Sequence, residues 1–155
     1  MPRKIAIIAL ALVLLIGGYF AVRAIVEQQA RAAYLASPNK VADDFIHDLT
    51  AQNAQDAYAN LFIDTFKNDY SLDYWSKQYF PQFVGMTGTP QLVSAGKFSQ
   101  DRTQPSAYPI GADVRQFVYR FTIHDTEYDL MLIIMRNGQD HWKIRSITGD
   151  YKAAP

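Results

Sequence analysis

Cysteine is missing from all 155 residues, which excludes disulfides, thiolate nucleophiles and lipid attachment through a thiol. No Asn-x-Ser/Thr sequon occurs. There is no Gly-x-Ser-x-Gly elbow for acyl transfer, and the segment "GMTGTP" lacks the Gly-Lys-Ser/Thr ending of a phosphate loop. Histidine is scarce. His47 lies beside the apolar stripe of a helical segment, His124 and His141 fall next to turns, and all three read as solvated. The segment "HDTEYD" gathers His124, Asp125, Glu127 and Asp129 around one turn, but neighbouring strand positions face opposite ways, so the four do not converge on a metal ion. The segment "DTFKNDYSLD" lacks the turn glycine and closing Glu of a calcium loop and reads as a polar connector. No cofactor or metal is implied. An excess of one charge is also lacking, with 15 basic and 15 acidic residues. Four of the basic ones, Arg3, Lys4, Arg23 and Arg31, sit around the N-terminal apolar run, and residues 38–155 hold 11 Lys and Arg against 14 Asp and Glu, a net of −3. A mildly acidic domain suits nucleic acid poorly.

The run from Ile5 to Val22 holds 18 uncharged residues, about 27 Å as a helix, close to the roughly 30 Å of a hydrocarbon core. It predicts a membrane span. Arg3 and Lys4 ahead of it place the N-terminus in the cytoplasm and the rest outside, in a bacterial-type inner membrane, with Tyr19 and Phe20 at the outer interface. The alternative is a signal peptide, cleaved after Ala24 or Ala32, and a secreted product. The organisation expected is a tail and span over 1–23, a juxtamembrane helix over 24–37, one domain over 38–151 and a short tail over 152–155.

In that domain Ser37-Pro38 caps and starts a helix carrying Val41, Ala42, Phe45, Ile46 and Leu49 at helical spacing. "NAQDAYANLF" reads as a second short helix. Ser71 starts a third, "LDYWSKQYFPQF", with an aromatic stripe of Tyr74 or Trp75, Tyr79 and Phe83, bent or ended by Pro81. From Thr89 the period becomes two. "PQLVSAGKFSQ" is a first strand, "DRTQPSAYPIGA" a loop, and Val114 to His124, Glu127 to Arg136 and His141 to Thr148 form a meander with turns at Asp125-Thr126 and Asn137-Gly138-Gln139. The fold class is α+β: a transmembrane helix, then a roll of about three helices on a curved antiparallel sheet of about four strands.

The segment "DLMLIIMR" is apolar on both faces, unlike a strand with one wet side. A two-residue turn at Asp125-Thr126 pairs Phe121 with Leu130, Tyr119 with Leu132 and Phe117 with Ile134; a three-residue second turn pairs Ile134 with Trp142 and Leu132 with Ile144. That face is the core. The outer face then carries Val118, Met131, Ile133, Met135 and Ile147, bordered by Arg120, Lys143 and Arg145. The residues Val118, Arg120, Met131, Ile133, Met135, Lys143 and Arg145 are the candidate surface for a second copy or an envelope protein partner.

Helices led by "VADDFIHDLTAQNAQDAYANLF" and a closing strand "HWKIRSITGD" resemble the nuclear transport factor 2-like superfamily, a cystatin-like α+β roll, over about residues 38–151. The resemblance implies dimerisation through the outer sheet face and a conical pocket between sheet and helices. Some members, such as ketosteroid isomerase and scytalone dehydratase, are enzymes, but their catalytic residues do not align onto this chain, and membership by itself implies no activity. A pocket here would be lined by Trp75, Tyr79, Tyr119, Trp142 and Ser146, with Asp73 or Asp69 at its mouth. The sequence therefore favours a membrane-anchored module that binds or assembles through its outer sheet face, with no catalytic residue assigned. The alternative is a binder of a small hydrophobic ligand, or an isomerase- or dehydratase-like enzyme, using the aromatic pocket.

Overall fold

The computed structural model describes residues 2–98, 112–137 and 141–151, with the side chains from Leu15 onward and Asn137 by its backbone alone. The chain divides into two units, Met1–Ala36 and Ser37–Pro155. In the first, helix α1 (Pro2–Leu35) runs unbroken for 34 residues, about 51 Å at 1.5 Å per residue. It carries an exposed Arg23–Glu27 pair at 2.8 Å. Among the described residues no helix is long and apolar enough to cross a membrane. Of the run from Ile5 to Val22, the side chains up to Leu14 lie outside the described residues.

The second unit is α+β, with short helices followed by a four-stranded antiparallel sheet. Helix α2 (Pro38–Thr50) starts as its residues dictate: Ser37 Oγ accepts from the Lys40 N–H at 3.4 Å and Pro38 occupies the first turn. Its inner stripe buries Ala42, Phe45 and Leu49. Asn53 caps α3 (Ala54–Leu61) and Ser71 caps α5 (Leu72–Tyr74). Between them the expected polar connector is instead a short helix, α4 (Asp64–Asp69), which buries Phe66. Helix α5 widens into a π-helical turn, Trp75–Tyr79, where the Phe80 N–H reaches back to the Trp75 carbonyl. A 3-10 turn, Phe80–Phe83, follows at Pro81, whose missing N–H cannot continue the α-helical ladder. Trp75 is fully buried and its indole donates to the Ala54 carbonyl at 2.8 Å, fixing this turn to α3.

The sheet runs β1 (Met86–Lys97), β2 (Val114–Ile123), β3 (Thr126–Asn137) and β4 (His141–Tyr151), in chain order. The loop expected after β1 lies outside the described residues except for its last, Ala112. Both hairpin registers differ from the sequence expectation. The β2–β3 turn is His124-Asp125, with Ile123 opposite Thr126. Phe121 therefore meets Tyr128, Tyr119 meets Leu130 and Phe117 meets Leu132, a slip of two residues from the expected pairs. The cause is steric. A two-residue hairpin turn of type I′ requires positive φ at both central residues, which His124 (φ 47°) and Asp125 (φ 63°) supply and β-branched Thr126 would resist. A slip of two keeps every side chain on its expected face.

Asn137 pairs with His141, so the second turn falls on residues 138–140, outside the described residues. Ile134 consequently meets Ile144 rather than Trp142, and the ladder then shifts by one, with Ile133 opposite Ser146 and Leu132 opposite Ile147. The extra residue in β4 is Arg145, a β-bulge. By that shift Ile147 joins Leu132 on the inner face, where it packs partly buried against the core. It was expected on the outer face. The free edge of β4 is tied to the helices by a parallel bridge from Phe62 to Ile144, with the Ile63 N–H bonded to the Ile144 carbonyl at 3.0 Å. Phe62 stacks on Phe66 at 4.1 Å and meets Trp75 edge-on at 4.9 Å, so β4 and the helices share one aromatic core.

Candidate functional site

The residues read from the sequence as the outer sheet face differ in burial. Ile133 (2% exposed) and Met135 (6%) are already withdrawn from water inside the chain, and so is Val114. Phe98, whose N–H bonds the Val114 carbonyl at 3.0 Å, packs partly buried at the same end of the sheet. Of the apolar residues expected there, Val118 and Met131, opposite one another, stay half-buried. The basic border is engaged elsewhere. Arg120 forms a two-pronged pair with Asp129, its register partner, at 2.7 and 3.0 Å. The Lys143 ammonium donates to the Asn60 carbonyl of α3, and burial, with Lys67 nearby, draws it below the ordinary lysine range.

Arg145 lies in a different place. Beyond the Phe62 bridge, the bulged stretch Arg145-Ser146-Ile147 forms one wall of a hollow of about 190 Å³, open to solvent on one side. The opposite wall comes from α4, α5 and the π-helical turn. Phe66, Tyr70 and Tyr74 recur every fourth residue across α4 and α5, with ring centroids 5.0 and 5.5 Å apart. Trp75 and Tyr79 stack at 5.3 Å at its base. Asp69 stands exposed at the rim. Burial raises the Tyr79 phenol far above the ordinary tyrosine range, and the Gln82 side chain offsets this only in part. The phenol is an uncharged polar tip in an aromatic wall. Among the described residues, no ion pair or hydrogen bond engages the half-buried Arg145 guanidinium.

Of the five pocket residues read from the sequence, the structure brings Trp75, Tyr79 and Ser146 together in this hollow. Tyr119 is buried elsewhere and points its hydroxyl to Asp43 at 3.4 Å. Trp142 lies under the Arg136 guanidinium, 5.0 Å from its ring. Asp73 pairs with Lys77 on the helix surface, which leaves Asp69 as the acid of the rim. Phe66, Tyr70, Tyr74, Arg145 and Ile147 were missed. The four-residue recurrence of Phe66, Tyr70 and Tyr74 was the available signal, while nothing local marks Arg145 as the bulge. Among the described residues no three metal-ligating side chains come together. Comparison with known protein families, with curated proteins and with solved structures returns no match for this chain.

Proposed function

We propose that the domain over residues 38–151 is a small-molecule-binding module of the nuclear transport factor 2-like kind, held at a membrane surface by its N-terminal helix. The observation that carries the binding reading is the hollow itself: the half-buried Arg145, whose guanidinium has no partner among the described residues, faces a wall of aromatic rings. Small-ligand sites combine an apolar concavity with a few polar groups that fix orientation, and Arg145, Tyr79 and Ser146 supply them here. The anchor reading rests on the apolar run from Ile5 to Val22 and on the continuity of α1 beyond it. On that reading the domain lies outside the cytoplasmic membrane.

Native mass spectrometry of the full-length chain, purified from its own membranes, tests the binding reading. A retained small molecule that is lost on the double substitution Tyr70→Ala, Tyr74→Ala supports it; both rings are exposed enough for removal without unfolding. A second reading, docking of another protein or a second copy through the outer sheet face, draws on the adjacent half-buried Val118 and Met131. A wild-type dimer that Met131→Glu converts to a monomer, with no small molecule retained, would favour that reading instead.

A further inference from the structure

We infer that the ligand of this hollow is a small aromatic carboxylate: one ring bearing a single negative charge. The inference rests on the binding reading above and adds to it a size, a shape and a charge. Size comes from the volume. About 190 Å³ is somewhat more than the roughly 150 Å³ that houses benzene in an apolar protein cavity, and well below the roughly 300 Å³ where sites for larger organic ligands begin. One ring with a short polar substituent fills it. Shape comes from the walls, because Tyr70, Tyr74 and Tyr79, the last backed by the buried Trp75, offer flat faces and edges within one concavity, and such surfaces favour a planar guest by offset or edge-on contact.

Charge comes from Arg145. A guanidinium presents donors in a rigid fork that matches a carboxylate in two parallel bonds, and among the described residues no carboxylate takes up that fork. Each other basic residue of β2 and β4 considered for the outer face is already satisfied, Arg120 by Asp129 and Lys143 by Asn60. The negative charge is single because, among the described residues, one cation lines the hollow and Asp69 sits at the same rim; there a dianionic phosphate would meet that carboxylate with no second positive group among them to offset it. Tyr79, held un-ionised by burial, adds no opposing charge.

Titration calorimetry of the full-length chain at neutral pH with phenylacetate, benzyl alcohol and benzylamine tests this. These probes share a ring and differ in charge. Phenylacetate is expected to bind at least ten-fold more tightly than benzyl alcohol, and Arg145→Gln is expected to bring the acid down to the affinity of the alcohol while leaving the alcohol unchanged. Arg145→Lys should restore only part of the preference, since it keeps the charge and loses the fork. Equal binding of acid and alcohol, or a preference for benzylamine, would overturn the carboxylate inference and leave the pocket reading standing. No binding by any of the three probes would overturn both. Because Arg145 has no partner within the described chain, the Gln variant is expected to unfold at the wild-type temperature, and a thermal scan confirms that its lost affinity is not lost structure.

Discussion

The phenol of Tyr128 lies over the bare Cα of Gly149, so close that a β-carbon at residue 149 would sit 1.9 Å from the tyrosine hydroxyl. Tyr128 cannot swing aside. It is 3% exposed and boxed in by Phe83 at 5.9 Å, Phe121 at 5.5 Å and Tyr151 at 4.8 Å. Gly149→Ala is expected to cost about 1 to 3 kcal/mol, the usual range for overpacking. Gly96→Ala, on the same sheet with open space around it, should stay within about 0.5 kcal/mol of wild type. Urea unfolding of the two variants side by side checks the difference.

Asp125 takes a left-handed conformation (φ 63°) at the β2–β3 turn. Glycine reaches that region without the Cβ clash that burdens other residues. Asp125→Gly is therefore expected to stabilise by up to about 1 kcal/mol, and Asp125→Val to destabilise by a similar or larger amount. Their unfolding midpoints should move in opposite directions.

Asp48 is a buried carboxylate on α2, and burial, followed by the nearby Asp56, raises its pKa above the ordinary value of 3.8. The folded state thus holds this proton more tightly than the unfolded state. The stabilising contribution is present in full below 3.8 and is lost as the pH climbs through the raised value. Asp48→Asn removes the ionisation, so it should be more stable than wild type at neutral pH, with the advantage shrinking toward zero in strong acid. Stability measured across the acid range would show this convergence; a constant offset between the two proteins would contradict it.

Ile133 and Met131 stand two residues apart on β3 yet answer differently to a charge. Ile133→Glu places a carboxylate where the side chain is 2% exposed and is expected to cost about 3 kcal/mol or more. Met131→Glu, at a half-buried position, should cost about 1 kcal/mol. A change of oligomeric state in the Ile133 variant would thus be confounded by unfolding, which makes Met131 the informative probe of the outer face.

The contrast between those two residues also shows what the sequence could and could not convey. Alternation along "RQFVYRFTIH" and "HWKIRSITGD" reported the strands and the inner face of β2, since a two-residue slip leaves parity intact. The register itself was hidden because the turn is His124-Asp125, with no glycine to mark its positive φ. The bulge at Arg145 was hidden because no residue beside it marks the extra position, and it displaced Ile147 to the inner face. Helix α4 offered a single apolar residue, Phe66, in six, too few for a periodic signal. Ser37, Asn53 and Ser71, by contrast, cap their helices as their side chains imply. In the hollow, Trp75 and Tyr79 were legible from helical spacing, whereas Tyr119 and Trp142 were placed there by face alone, which does not specify position along the sheet.

Recognition of a small molecule between the helices and the bulge of β4, rather than on the outer sheet face, is most directly tested by nuclear magnetic resonance. Spectra of the arginine Nε groups and methionine methyls of the full-length chain are recorded while phenylacetate is added. The Arg145 Nε resonance is expected to shift and saturate while the Met131 methyl stays where it is. A saturable shift of Met131 with Arg145 unmoved would contradict it.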